Sequence, residues 1–148
     1  MSQENVDRLL SMLSLLSDTG ADVTRIVRDD ELWARSVRTV APYLHEDYEV
    51  VTTGLPGGTT VAKGFDDIRA SYLDWFAPFA TYRQEVEEVV DCGDRVLMLV
   101  RTFARLVGSV QEISNAAAEV FLFREGKIAR VELYGNRARA RKAVGLEV

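Results

Sequence analysis

The sequence predicts an α+β domain, with helices packed against one face of a largely antiparallel sheet. Three observations carry this. The first eighty residues hold helix-periodic apolar patterns, a single short β-branched run interrupts them, and everything after Thr81 has the pattern of long strands joined by short turns.

The first element is a helix over Ser2 to Ser17. Val6, Leu9, Leu10, Leu13 and Leu16 form one apolar stripe, Ser2 is placed to cap it, Glu4 suits its first turn, and "DTG" at Asp18–Gly20 ends it. A second helix is expected from Asp29 or Asp30, carrying Leu32, Trp33, Val37 and Val40 and closing near Pro42. "DYEVVTT" (Asp47 to Thr53) reads as a strand, and "GLPGGTT" after it as a loop. From Gly64, "GFDDIRASYLDWFAPFA" places Phe65, Ile68, Tyr72, Trp75, Phe76 and Phe79 along an aromatic helical face, with Pro78 at its end.

Four strands follow: "YRQEVEEVVD", "DRVLMLVRTFARL", "EISNAAAEVFLFR" and the strand after Glu125-Gly126, "KIARVELY". Turns at Cys92-Gly93 and Glu125-Gly126 carry glycine where a tight hairpin needs positive φ, and a looser turn surrounds Gly108-Ser109. The tail "RARARKAVGL" is expected to form a short surface helix.

At 148 residues the chain is sized for one domain spanning 1–148. Its longest apolar runs, such as Val96–Val100, fall far short of the roughly 20 residues of a membrane helix. Acidic residues precede the first apolar positions, against the order of a secretory signal, so a cytoplasmic location and no membrane partner are expected. One cysteine (Cys92) and one histidine (His45) leave neither a disulfide pair nor a histidine-built metal site. A net charge of −5 argues against nucleic acid as the main partner.

The segments "MSQENV", "VAKGFDDIRASYLDWF", "VDCGDRVLMLVR" and "AEVFLFREGKIARVELYGNRARARKAVGL" together resemble SnoaL-like proteins of the nuclear-transport-factor-2-like superfamily. The resemblance covers the first helix and the chain from Asp47 to its end. Thr19–Leu44 departs from it by being longer than the usual connection. It implies a cone of strongly bent sheet wrapped around helices, a cavity at the wide end, and a homodimer formed through the outer sheet. Relatives include polyketide cyclases, ketosteroid isomerases, limonene epoxide hydrolases and dehydratases, and also non-catalytic binding proteins, so fold alone does not settle activity.

The limonene epoxide hydrolase set of one arginine between two aspartates maps onto Arg101, Phe103 and Leu133. Only the arginine is kept, so that mechanism lacks its carboxylates. Cyclase-like relatives often carry a polar residue where this chain has Glu119. Glu119 is the candidate general base, and Arg101, on a neighbouring strand and the same expected sheet face, is its candidate polar partner. If the two form a structural ion pair, which the pattern favours, Glu119 stays ionised and is a poor base. Trp33, Tyr72, Trp75, Phe76, Phe79, Phe103 and Phe121 are candidate cavity walls or ordinary core, with Asn115 the polar residue on the Glu119 face. In the last strand, alternation separates Ala129, Val131 and Leu133 from Ile128, Arg130, Glu132 and Tyr134. The apolar set is expected to face inward because unpaired buried charge is costly, with Tyr134 shaping the pocket if a bulge re-aims it. His45 and Tyr48 are weaker candidates for a proton shuttle and a hydrogen-bond donor. The expected ligand is a small lipophilic molecule, and any reaction is cofactor-free acid–base isomerisation, cyclisation or dehydration. A ligand-binding or protein-assembly module without catalysis stands as the alternative.

Overall fold

The computed structural model describes residues 2–17, 22–55 and 58–146. In chain order the elements are α1 (Ser2–Ser17), α2 (Val23–Arg28), α3 (Asp30–Val40), a 3-10 turn at Ala41–Tyr43, β1 (Leu44–Leu55), β2 (Gly58–Lys63), α4 (Phe65–Phe76), β3 (Phe79–Cys92), β4 (Arg95–Leu106), β5 (Glu112–Arg124), β6 (Lys127–Tyr134) and α5 (Arg137–Ala143). The six strands form one mixed, curved and unclosed sheet in the order β2-β1-β6-β5-β4-β3. β3 to β6 make the antiparallel meander, and β1 returns parallel to β6.

Most elements lie where the pattern put them, with local differences. α2 is an additional helix of six residues, too short to show a period of its own. Its start is fixed by Asp22, whose Oδ1 accepts hydrogen bonds from Thr24 N (3.1 Å), Thr24 Oγ1 (2.7 Å) and Tyr82 N (3.1 Å), so one carboxylate caps the helix and ties it to β3. Asp29 caps α3 through Leu32 N at 2.9 Å. The expected loop after Thr53 instead contains β2, an edge strand paired with β1 from Glu49↔Lys63 to Leu55↔Gly58. The turn between β3 and β4 sits one residue later than expected, at Gly93-Asp94, with Gly93 at φ 84 supplying the positive angle in its first position. At Glu125-Gly126 both residues have positive φ (55 and 77), as the tight turn between β5 and β6 demands. The expected helix stop at Asp18–Gly20 and the Ser2 side-chain cap lie outside the described residues.

The sheet has two apolar faces. On the helical face, Val96, Met98 and Val100 of β4, Phe121 and Phe123 of β5, and Ile128 and Val131 of β6 pack with Val6, Leu9 and Met12 of α1 and Ile68 of α4. On the outer face, Leu97 and Leu99 of β4 and Ala118 and Val120 of β5 are covered by Ala140 of α5. An aromatic cluster closes one end of the helical face: Phe76 and Tyr82 are buried among Trp33, Tyr72, Trp75 and Phe79. The Phe76 and Tyr82 ring centroids are 4.8 Å apart, and those of Trp75 and Tyr82 are 5.3 Å apart.

Register breaks bend the sheet around this core, since a bulge adds twist and a local kink. They occur between Val86 and Glu88 of β3, between Leu122 and Phe123 of β5, and between Leu44 and Glu49 of β1. The result is the cone.

Candidate functional site

β5 carries Glu119 on the helical face, opposite Met98 of β4 and Leu133 of β6 and two residues from Phe121. Arg101 is on the other side of the sheet. It pairs with Ala116, and its Nε donates to Glu87 Oε2 at 3.3 Å. The expected Arg101–Glu119 contact is therefore corrected. Glu119 shares the parity of Met98 and Val100, whereas Arg101 shares that of Leu97 and Leu99, so no side-chain rotation brings the two together.

Glu119 has tyrosines near it instead of a cation. Its charge contributes to raising the pKa values of Tyr48, Tyr72 and Tyr82, and Tyr48 and Tyr72 pack against the same core as Leu133, the residue opposite Glu119. Burial is the first cause of the rise in each tyrosine, with Tyr72 contributing before Glu119 at Tyr48, and Tyr82 is pushed up to about 12. Burial alone pushes the Glu119 carboxyl up from its ordinary value to about 7. Among the described residues, the only sealed side-chain polar atoms without a partner are Ser36 Oγ and Arg130 Nε. The Glu119 oxygens and the Tyr48 and Tyr72 hydroxyls also have no hydrogen-bond partner among those residues, so these oxygens still border open space inside the protein. Glu119 thus lies deep in the protein yet is only partly covered.

The other candidates divide between the two faces. Trp33 joins the main core to the aromatic cluster and meets Tyr72 edge-on at 6.5 Å, while the Arg69 guanidinium lies 5.8 Å over the Trp33 ring. Trp75 and Phe76 stack behind Tyr72 in the aromatic cluster, and Phe121 is buried in the main core.

Phe103 is corrected as a cavity wall. It lies on the outer face opposite Arg83, whose guanidinium covers its ring at 4.0 Å. Asn115 is exposed, near the start of β5, and its amide donates to Gly135 O at 3.5 Å rather than into the chamber. Tyr134 is also on the outer face. It packs beside the α5 cluster and donates to Glu132 Oε1 at 2.9 Å.

Val131 and Leu133 do face the chamber side, opposite Phe121 and Glu119. Ile128 joins them because the register shift sets it opposite Phe123. Arg130 lies outside between Glu49 (3.7 Å) and Glu132 (3.0 Å). Tyr82 went unnoticed in the sequence; its position opposite Ala104, on the same face as the core, marks it as inward only once the β3–β4 register is known.

Two hollows open at the surface. One, about 240 Å³, is lined by Ala41, Leu44, His45, Glu46, Tyr48, Gly64 and Phe65. The other, about 280 Å³, is lined by Thr53, Tyr134, Gly135, Asn136 and Arg139 on the outer side. Among the described residues, no three His, Cys, Asp or Glu side chains converge as a metal-binding group. Nor is any helix among the described residues long and apolar enough to cross a membrane.

A SnoaL-like domain model matches residues 22–131, from the Asp22 cap through the strand carrying Val131. The chain belongs to the SnoaL-like domain family. No curated protein sequence matches it. Among solved structures, this SnoaL-like chain is similar to TerC co-crystallized with polyporic acid (TM-score 0.64, 17% identity, 95% of this chain and 98% of that one). It is also similar to a putative SnoaL-like polyketide cyclase from Jannaschia sp. CCS1 (TM-score 0.64, 14% identity, 97% and 92% of the two chains). Bal32a, from a soil-derived mobile gene cassette, follows at TM-score 0.63 with 16% identity over 90% and 89% of the chains. At such identities the likeness establishes the SnoaL-like fold and nothing about substrate.

Proposed function

We propose that this SnoaL-like domain encloses a small lipophilic carbonyl compound and moves a proton on it without a cofactor, with Glu119 as the general base. One observation carries the reading: an interior carboxylate with no cationic partner, its pKa raised to about 7 by burial, facing open space. A base with that pKa is largely ionised just above neutrality and still able to give its proton back.

In the reaction, the bond between hydrogen and the carbon next to the carbonyl breaks, and the proton goes to Glu119. The bonding pair becomes the C=C of an enol or enolate while the carbonyl π pair moves to oxygen. The neutral phenols of Tyr48 and Tyr72 are the O–H donors available to that oxygen. Return of the proton to the same carbon gives exchange, and return to a conjugated position gives isomerisation. The greasy wall formed by Leu133, Trp33 and the Tyr72 ring suits an apolar substrate. Arg101, held on the outer face by Glu87, has no part in this step.

The test is deuterium incorporation in D2O, followed by NMR, across a panel of lipophilic cyclic ketones and 1,3-diketones. The wild type is expected to exchange an α-proton of at least one of them, and Glu119→Gln to slow that exchange by about 100-fold or more. Binding without exchange, or exchange that survives Glu119→Gln, would remove the enzyme reading and leave a binding module.

The same reading includes a cytoplasmic homodimer docked through the outer sheet. It is supported by Phe103, only partly covered amid the charges of Arg83, Glu85 and Glu112. A monomer mass by light scattering would remove the dimer.

A further inference from the structure

Resting on the reading of an enclosed Glu119 chamber, we propose that the hollow between the start of β1 and the start of α4 is the entrance to that chamber, and that the ring of Tyr48 is its door. The two spaces share one side chain. Tyr48 lines the 240 Å³ hollow together with Leu44, His45, Gly64 and Phe65. The same Tyr48 packs against the main core together with Tyr72 and with Leu133, the residue opposite Glu119, and Glu119 acts on its phenol. A ring that lines the surface hollow on one side and packs into the Glu119 side of the core on the other is a partition between them. The outer hollow beside Tyr134 has no such connection, because the sheet itself stands between it and Glu119.

The backbone around Tyr48 suits a moving part. β1 pairs with β6 at Leu44↔Ile128 and next at Glu49↔Arg130, so five steps along β1 span two along β6. Pairing with β2 on the other edge begins only at Glu49↔Lys63. His45 to Tyr48 therefore bow out of the ladder on both sides, and this segment has less backbone holding it than any other part of β1. Its side-chain ties are at the surface: Asp47 N donates to His45 Nδ1 at 3.1 Å, the Asp47 and Glu125 carboxylates stand 3.8 and 4.0 Å from the imidazole, and Arg124 stands 3.7 Å from Asp47.

On the facing wall, Gly64 has φ 80, is exposed, and carries no side chain to narrow the mouth of the hollow. Leu44, Ala41 and Phe65 give the passage an apolar lining that a lipophilic molecule crosses without leaving a polar group unpaired. Swinging the Tyr48 ring toward solvent joins the two spaces. Swinging it back shuts water out and returns its hydroxyl to the neighbourhood of Glu119.

The experiment is stopped-flow binding of N-phenyl-1-naphthylamine, a neutral lipophilic fluorophore, to wild type and variants of the full chain. Tyr48→Ala removes the door and is expected to raise both association and dissociation rates by about tenfold or more, with a smaller change in affinity. Phe65→Trp narrows the passage and is expected to lower both rates, and it decides the matter if Tyr48→Ala does not fold. Arg139→Trp, which fills the outer hollow, is expected to leave both rates unchanged. Rates within about twofold of wild type for Tyr48→Ala and Phe65→Trp, or slowing by Arg139→Trp, would overturn the entrance while leaving the chamber intact. A wild type that does not bind the fluorophore at all would count against the chamber itself and take the entrance with it.

Discussion

Glu87 and Glu119 sit on opposite sides of one sheet, and the protein treats them in opposite ways. On the outer side Glu87 is gripped by Arg137 and Arg101. The Arg137 guanidinium also reaches Val100 O at 2.7 Å and Ala117 O at 3.1 Å, so it is held in place by the backbone beneath it. Hydrogen bonding from Arg137, then from Arg101, keeps the Glu87 carboxyl below its ordinary value. On the helical side Glu119 lies opposite Met98 and Leu133 with no cation beside it, and burial alone sends its pKa up to about 7. The arginines that would have neutralised Glu119 are spent on the far side of the sheet. An interior carboxylate left without a cation lowers stability, and natural folds tend to tolerate such a cost at functional sites.

The largest effect that sharpens the contrast is on stability against pH. An acid whose pKa is higher folded than unfolded binds more protons in the folded chain between about 4.5 and 7, so stability falls as pH rises across that window and stays lowered above it. Replacing Glu119 by the neutral isostere Gln removes that penalty. Glu119→Gln is expected to stabilise the chain by up to about 3 kcal/mol at pH 8 and to have little effect near pH 4, read by urea denaturation at both values. Equal effects at the two pH values would break the contrast.

A smaller loss is expected from Asp22→Ala. It frees the start of α2 and unties α2 from Tyr82 N, at a cost of about 1–2 kcal/mol in the same denaturation experiment. Because Tyr82 belongs to the aromatic cluster that closes one end of the helical face, the Asp22 variant is also expected to weaken fluorophore binding, which a cap serving α2 alone would not do.

The smallest effect belongs to the outer carboxylate. Glu87 has a lowered pKa, so its contribution is present above the ordinary carboxylate range and is lost as pH falls through the folded value. Glu87→Gln is expected to destabilise slightly at pH 7, and the difference should vanish in high salt or in acid. A salt-insensitive loss would mean that this surface pair matters more than its exposure allows.

The sequence made the meander legible because glycine at the tight turns and β-branched alternation are strong local signals, and α1, α3 and α4 because each runs long enough to show a period. α2 escaped because six residues show no period. β2 escaped because "GTTVAK" stands in a glycine-rich stretch whose strand character depends on pairing with β1.

Glu119 was legible through the resemblance to cyclase-like proteins, which often carry a polar residue at that position. Its relation to Arg101 was not, because both faces of β4 are apolar: Val96, Met98 and Val100 pack under α1, while Leu97 and Leu99 pack under α5. With two greasy faces, alternation cannot say which one carries the arginine outward. Phe103 was misplaced for the same reason, being an aromatic residue on a face that reads as core until Arg83 is seen to cover it, whereas Tyr134 stays on the outer face because no bulge re-aims it. Tyr48 was only weakly marked, since its approach to Glu119 depends on a bulge that no local pattern announces.

The most direct test of the central claim is a 13C NMR titration of the glutamate side-chain carboxyls, with Glu119→Gln used to assign one resonance. The account predicts that the signal missing from the variant titrates near 7 in the wild type. A midpoint at or below the ordinary glutamate value would mean that a cation or hydrogen-bond donor reaches Glu119 in solution, and the proposed base would be lost.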